Sequence, residues 1–194
     1  MTEISLKSKV MKKNDRIAEN LRSMLHKHTI FGLNLIGSPG SGKTTLLEAV
    51  LPGLIKKLHC GVIEGDVKTD NDMKRIAALG VPAVQIETQG SCHLNAEMVL
   101  NAIDRFSLPS LDMLIIENVG NLICPVSYDL GEDYRVIVLS ITEGDDKPLK
   151  YPSAFIFADV LVITKIDLEP YVDANVETMK SNALSLNPGL KVFK

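Results

Sequence analysis

Residues Gly37-Ser38-Pro39-Gly40-Ser41-Gly42-Lys43-Thr44 spell G-x-x-x-x-G-K-[ST] between an apolar run, Phe31 to Ile36, and a helix-like stretch, Thr45 to Lys57. A strand that ends in a glycine-rich turn and opens a helix leaves main-chain N–H groups without helical partners, and these wrap phosphate oxygens. In such a cradle Lys43 is expected to reach the β- and γ-phosphates, and the Thr44 hydroxyl, with Thr45 beside it, to serve Mg²⁺ and phosphate. The pattern alone also fits a glycine-rich turn with no ligand. Strand before and helix after favour a nucleoside triphosphate site.

The rest of the chain reads as the fold that usually carries such a loop. Short Val/Ile/Leu runs recur at Cys60–Glu64, Ala83–Ile86, Met113–Ile116, Tyr134–Ser140, Val160–Thr164 and Leu190–Phe193. Continuous apolar runs suit strands buried on both faces, as in a parallel sheet. Between them, Asn71–Leu79, Ala96–Phe106 and Val172–Leu186 supply crossover helices, and residues 11–28 read as a helix before the first strand, with Ile17, Leu21, Met24 and Leu25 at helical spacing. The expected architecture is α/β: a mostly parallel, doubly wound sheet with flanking helices and its active loops at the C-terminal ends of the strands.

Composition narrows the partners. With 194 residues and neither repeat nor low-complexity linker, one domain over 1–194 is expected. A net charge of −3 gives no reason to expect nucleic acid or an anionic membrane, and no apolar segment approaches the roughly 20 residues that span a bilayer. Three cysteines without framework spacing point to free thiols in a reducing compartment, so the cytoplasm is expected.

Three acids could complete a Mg²⁺–phosphate site: Asp66 in Glu64-Gly65-Asp66, Asp72 six residues on, and Glu117 closing Leu114-Ile115-Ile116. An acid ending a hydrophobic strand beside a phosphate loop suits a Walker-B role. Each also fits a helix cap or solvated loop charge, Asp72 most of all, since Thr69-Asp70-Asn71-Asp72 is rich in capping residues. Further on, Thr164-Lys165-Ile166-Asp167 follows the run Val160–Ile163 and looks like the guanine-specificity motif Asn/Thr-Lys-x-Asp. A carboxylate accepts from both N1–H and the 2-amino group of guanine, a pair that adenine does not present, while a lysine stem can lie along the base and support the phosphate loop. The plainer alternative is a helix start capped by Asp167. GTP is favoured over ATP.

Cys92-His93 and, about thirty residues later, Cys124-Pro125 offer soft-to-borderline ligands suited to Zn²⁺ or Ni²⁺. Adjacent Cys and His can meet one ion only in a loop or at a helix start. Spacing alone favours a small buried thiol and a surface histidine. Cys60, at a strand start, reads as structural, and His26, His28 and His59 as solvated residues.

Taken together, these strings resemble the hydrogenase nickel-incorporation GTPase family (HypB-type), within the signal-recognition-particle/MinD-like class of phosphate-loop GTPases. The resemblance runs almost end to end. It includes Asn14-Asp15-Arg16-Ile17-Ala18, the phosphate loop through Leu47, Glu64-Gly65-Asp66, Asp72 with Arg75-Ile76, Cys92-His93-Leu94, Glu117-Asn118-Val119-Gly120-Asn121-Leu122 before Cys124-Pro125, and Thr142 to Pro152. It implies that Cys92, His93 and Cys124 bind Ni²⁺ or Zn²⁺ at a site shared across a GTP-dependent homodimer. By the same carry-over Glu117 and Asp72, with Thr44, become Mg²⁺ ligands, and Asp66 orients the attacking water. The implied function is slow hydrolysis of GTP to GDP gating nickel delivery, with a nickel-delivery accessory protein and a hydrogenase large-subunit precursor as partners.

Family members usually continue past the final strand with a Ser-Ala-type loop and a closing helix, whereas this sequence stops at Lys194, so a C-terminus short for the family is expected. No cysteine-rich motif stands near Met1 and no histidine-rich tract occurs, so no additional nickel site or nickel store is expected. The urease nickel-chaperone GTPases carry Cys-Pro-His together, unlike the separated pairs here, and rank second. A phosphate-loop small-molecule kinase would leave Thr164–Asp167 unexplained. A nucleotide-gated metal scaffold without turnover is a further alternative.

Overall fold

The computed structural model describes residues 3–66 and 71–194. Seven strands form one sheet: β1 (Phe31–Ile36), β2 (Cys60–Asp66), β3 (Ala83–Glu87), β4 (Met113–Glu117), β5 (Tyr134–Ser140), β6 (Val160–Thr164) and β7 (Lys191–Phe193). Their order is β3-β2-β4-β1-β5-β6-β7, and every pairing is parallel. The helices are α1 (Glu3–Lys27), α2 (Lys43–Leu54), α3 (Asn71–Ala77), α4 (Ala96–Ile103), α5 (Lys147–Lys150), α6 (Pro152–Ile156) and α7 (Val176–Leu186).

The two-residue period of the strands divides their apolar residues between two faces. Leu35, Val62, Ile115 and Val138 pack with Leu47 and Leu51 of α2 and Ile76 of α3. On the opposite face, Ile63, Leu114 and Ile116 meet Leu21 and Leu25 of α1 and Val99 and Ile103 of α4. Ile137, Leu139, Leu161 and Ile163 cover Phe155 of α6 and Met179 and Ala183 of α7. Burial on both faces is why these strands read as continuous apolar runs. β1 lies between β4 and β5, and the order reverses there, which opens a crevice at the strands' C-terminal ends.

Several boundaries differ from the sequence expectation. α1 begins at Glu3 instead of near residue 11, because its first half carries charge in place of apolar periodicity. α2 starts two residues early, at Lys43, and stops at Leu54. α7 starts at Val176 because the Asn175 side chain accepts from the Thr178 amide and caps it. The preceding stretch, Ile166–Tyr171, is a 3-10 turn containing Pro170. α3 and α4 end earlier than expected, at Ala77 and Ile103, and α5 and α6 are additional short helices, each opened by a proline.

α1 is fixed along its second half. Asn14 donates to Asp129 O and accepts from the Ala96 amide, each at 2.9 Å, so one buried side chain joins α1, α4 and the loop before β5. Gly131 lies against the helix at φ 81°, and a Cβ there would stand 2.9 Å from Ala18 O. Among the described residues, no helix is long and apolar enough to cross a membrane.

Candidate functional site

The turn after β1 needs left-handed backbone at Gly40 (φ 74°) and Gly42 (φ 95°), a conformation open to glycine at little cost. α2 then opens with Lys43 and Thr44, both buried. The Lys43 ammonium folds back over its own loop, 3.4 Å from Gly37 O and 3.5 Å from Ser38 O. The expected guanine motif clasps the same loop from the end of β6. Thr164 Oγ1 donates to Ser41 O at 2.6 Å, and Lys165 Nζ donates to Gly40 O at 2.7 Å. Lys165 itself takes a left-handed conformation, φ 56°, and Asp167 lies exposed in the first turn of the 3-10 segment. The lysine's support of the phosphate loop, expected from sequence, is thus present in the geometry.

Beside the loop opens a cleft of about 390 Å³, lined among others by Gly42, Lys43, Thr44, Glu64, Asp66 and Glu117. Its floor is acidic and buried. Thr44 Oγ1 donates to Glu117 Oε1 at 2.9 Å, while Glu117 Oε2 and Glu64 Oε1 have no hydrogen-bond partner among the described residues. Glu64 and Glu117 are register partners on β2 and β4. Burial, then the neighbouring Glu117 carboxylate, pushes the Glu64 carboxyl up to about 10. Burial likewise raises Glu117, although Lys43 opposes the shift. A threonine hydroxyl and orphaned carboxylate oxygens beside a phosphate cradle form an all-oxygen donor set that fits Mg²⁺.

The other acids are placed differently. Asp66 closes β2, half-buried on the cleft wall. Asp72 lines the cleft but is paired with Arg75 at 2.8 Å, and Arg75 also reaches Glu48 at 2.6 Å and Thr45 Oγ1 at 3.3 Å. Thr69 and Asp70, read from sequence as capping residues, lie outside the described residues. Glu64, which sequence reasoning did not single out as a ligand, faces the site; its signal was an acid inside an otherwise apolar run.

At the rim, Cys92, His93 and Cys124 converge, their ligand atoms all within 4.8 Å of one another. Cys92 and His93 belong to the loop between β3 and α4, and Cys124 precedes the 3-10 turn Pro125–Ser127. A loop lets adjacent side chains meet, and Cys92 Sγ lies 3.6 Å from His93 Nδ1. The buried thiol and surface histidine that spacing alone favours do not describe them: Cys92 is exposed, and half-buried His93 stacks on Tyr128 with ring centroids 3.9 Å apart. Burial lowers the His93 pKa, favouring neutral imidazole, and the Cys124 thiol raises that of Cys92. Cys60 is buried at the start of β2, and His26 and His59 pair with Asp133 and Asp112 on the surface, as sequence suggested.

A buried polar chain frames both sites. Asn118 Oδ1 accepts from the Leu94 and Val119 amides at 3.2 and 3.0 Å, and its Nδ2 donates to Asn34 Oδ1 at 3.3 Å. Asn34 Nδ2 donates to Glu132 Oε1, which also receives Arg135 at 2.7 Å, and Arg135 donates to Val126 O at 2.9 Å, two residues past Cys124. None of these frame residues was recognised from sequence.

Strand, glycine loop, buried lysine and an acid on the neighbouring strand define a phosphate-loop nucleotide-binding protein with a cysteine–histidine cluster at its rim. Residues 32–194 match the CobW/HypB/UreG nucleotide-binding domain, and the chain belongs to that family, with HypB proteins as its near relatives. It is 48% identical over 184 residues to the hydrogenase maturation factor HypB of Escherichia coli K12, a match covering 95% of this chain and 63% of that protein. HypB from Helicobacter pylori, solved in complex with nickel, superposes with a TM-score of 0.88 at 42% identity, covering 93% of this chain and 85% of that one. HypB from Archaeoglobus fulgidus gives 0.87 at 42% identity, with coverage of 93% and 88%. The chain therefore spans somewhat less than two thirds of the Escherichia coli protein's length.

Proposed function

We propose that this chain binds GTP with Mg²⁺, hydrolyses it slowly to GDP, and uses the cycle to carry nickel for [NiFe] hydrogenase maturation. One observation carries the reading: Cys124 lies seven residues from Glu117, so the loop bearing a metal-cluster thiol begins at the acid hydrogen-bonded to the phosphate-loop Thr44. The names of the HypB relatives and the nickel-bound structure of one of them support the choice of cargo.

In this mechanism Lys43 leaves the Gly37 and Ser38 carbonyls to meet the β- and γ-phosphates, joined by the loop's N–H groups. Thr44 and Glu117, with Glu64 and Asp72 nearby, would hold Mg²⁺, which when bound would supply positive charge against that developing on the phosphate oxygens. Asp66 orients the attacking water, and Asp167 reads guanine while Lys165 braces the loop. Ni²⁺, or Zn²⁺ in its place, is the cargo of Cys92, His93 and Cys124. Three ligands per chain leave the set open, and a second copy brought up by GTP pools six around a twofold axis. An accessory protein supplies nickel, a hydrogenase large-subunit precursor receives it, and the cycle runs in the cytoplasm.

The test has two arms. GTP should outcompete ATP, and Asp167→Asn should shift preference toward xanthosine triphosphate, with discrimination on the order of 10⁴ available to a site built around a hydrogen-bonded base group. Metal stoichiometry and dimer fraction should both rise from GDP to a non-hydrolysable GTP analogue. Equal ATP and GTP binding would overturn the base assignment. A monomer holding metal equally in both nucleotide states would overturn the shared site.

A further inference from the structure

Between Glu117 and Cys124 the chain passes Asn121, which touches three parts of the molecule at once. Its main chain forms an antiparallel β-bridge with Gly37, the first residue of the phosphate loop. Its side-chain Nδ2 donates to Cys92 O at 3.2 Å, and its Oδ1 accepts from the Ile123 amide, beside Cys124, at 2.8 Å. The orientation of this carboxamide is forced: reversed, it would set oxygen against oxygen and N–H against N–H. The neighbouring Gly120 adds a close approach, since a Cβ there would lie 3.0 Å from Pro39 Cα at the tip of the phosphate loop.

The alternative route, through the end of β4, is anchored. The Asn118 amide donates to Leu35 O at 2.9 Å, and the Asn118 side chain holds Leu94 from inside the buried frame. The base of the Cys92-His93 loop is thus tied to the sheet, and its tip to Asn121 alone among the hydrogen bonds described for the Cys92 main chain. We infer that Asn121 is a positioning residue, a clasp that sets the separation of Cys92 and Cys124 according to the conformation of the phosphate loop. A shift of Gly37 or Pro39 on triphosphate binding moves the Asn121 main chain, and its carboxamide carries the motion to both cysteine-bearing segments. This inference rests on the metal-site reading above but assigns its coupling to one side chain that binds neither metal nor nucleotide.

The test uses Asn121→Asp, which keeps the shape and the Ile123 contact but sets oxygen against Cys92 O, and Asn121→Ala, which removes both contacts. Ni²⁺ affinity is measured by chelator competition with GDP and with a non-hydrolysable GTP analogue, alongside the thiolate-to-nickel absorption band and nucleotide affinity. The ratio of metal affinities between the two nucleotide states should fall about tenfold, within the usual range of a coupling between sites, and further in Asn121→Ala than in Asn121→Asp. The absorption band should shift, while nucleotide affinity measured without metal holds. Equal loss of metal affinity in both states, or an unchanged ratio and band, would overturn the role of Asn121. A wild-type protein with no nucleotide response would overturn the functional reading itself and the coupling with it.

Discussion

The floor of the phosphate cleft and the rim that holds Cys92, His93 and Cys124 are built by opposite means. The floor rests on strand ends: Glu64 and Glu117 are fixed by β-sheet register, and Lys43 and Thr44 by the first turn of α2. Its acids are buried, which favours their neutral forms until a cation arrives to compensate their charge. The rim rests on loops, a 3-10 turn and one asparagine, and one of its thiols is exposed. Strand-borne groups are held in place before a ligand binds. Loop-borne side chains can be brought together or parted at little cost in packing, as the nickel-carrying role proposed above would require.

The largest expected effect would separate the two regions outright. Lys43→Ala removes the buried cation proposed to face the phosphates, and triphosphate affinity should fall by about 10²–10⁴, following the 3–5 kcal/mol cost of losing one partner of a buried charge pair. Calorimetry with GTP should show that loss, and Ni²⁺ binding without nucleotide should be unchanged. Retained GTP affinity in the folded variant would end the phosphate-loop assignment.

Next comes the frame beneath both regions. Arg135→Met leaves Glu132 buried without its cation, and urea denaturation should show about 3 kcal/mol of lost stability. A change below 1 kcal/mol would mean the frame does not hold the sites. The proposed metal ligands follow in size. Cys92→Ala or Cys124→Ala should weaken Ni²⁺ by about 100-fold, the upper end of what losing even a supporting contact costs. GTP affinity should stay close to wild type, and a parallel fall would contradict the division between floor and rim. Ni²⁺ binding should also weaken as pH falls, since protons compete for thiolate and imidazole.

The smallest effect concerns the loop that ends the frame. Burial would raise the Asp129 carboxyl, but hydrogen bonds from Arg22 and from the Gly131 amide outweigh it and hold the group below 3.8. A depressed carboxylate stabilises the fold in full above its unfolded pKa and loses that contribution as pH falls through the folded value. The wild-type advantage over Asp129→Asn should therefore be complete above about pH 5 and vanish at strongly acid pH. Partial exposure keeps it under about 1 kcal/mol. An advantage that grew on acidification would reverse the sign and exclude the ion pair as its source.

Floor and rim also differed in how legible they were. The phosphate loop and the central strands β1, β2, β4 and β5 stand out because local pattern and tertiary place coincide there: glycine where φ is positive at Gly40 and Gly42, apolar runs where both sheet faces are covered. Glu64 was harder to read, because a buried acid in a strand gains meaning only from Glu117 beside it, and register is not written in either segment alone. Spacing did not reveal the cluster of Cys92, His93 and Cys124; the resemblance to a known family did, since about thirty residues and the whole of β4 separate its halves. Asn121 and Asn118 stand in the string that carries the resemblance, but their roles were unread for a simpler reason. An asparagine that ties two loops looks, in sequence, like any turn residue.

Gly131 has a consequence for how the molecule can be watched. With Ala18 O standing 2.9 Å from the place a methyl would occupy, and Asn14 tied to both α4 and the Asp129 loop, α1 can neither roll nor slide on the sheet. At 25 residues it runs about 37 Å, and its second half, from Asn14 to Lys27, is fixed to the body. A fluorophore placed at exposed Asn20 would tumble with the sheet, and its anisotropy would measure the size of the assembly, almost blind to motions of the loops that carry Cys92, His93 and Cys124.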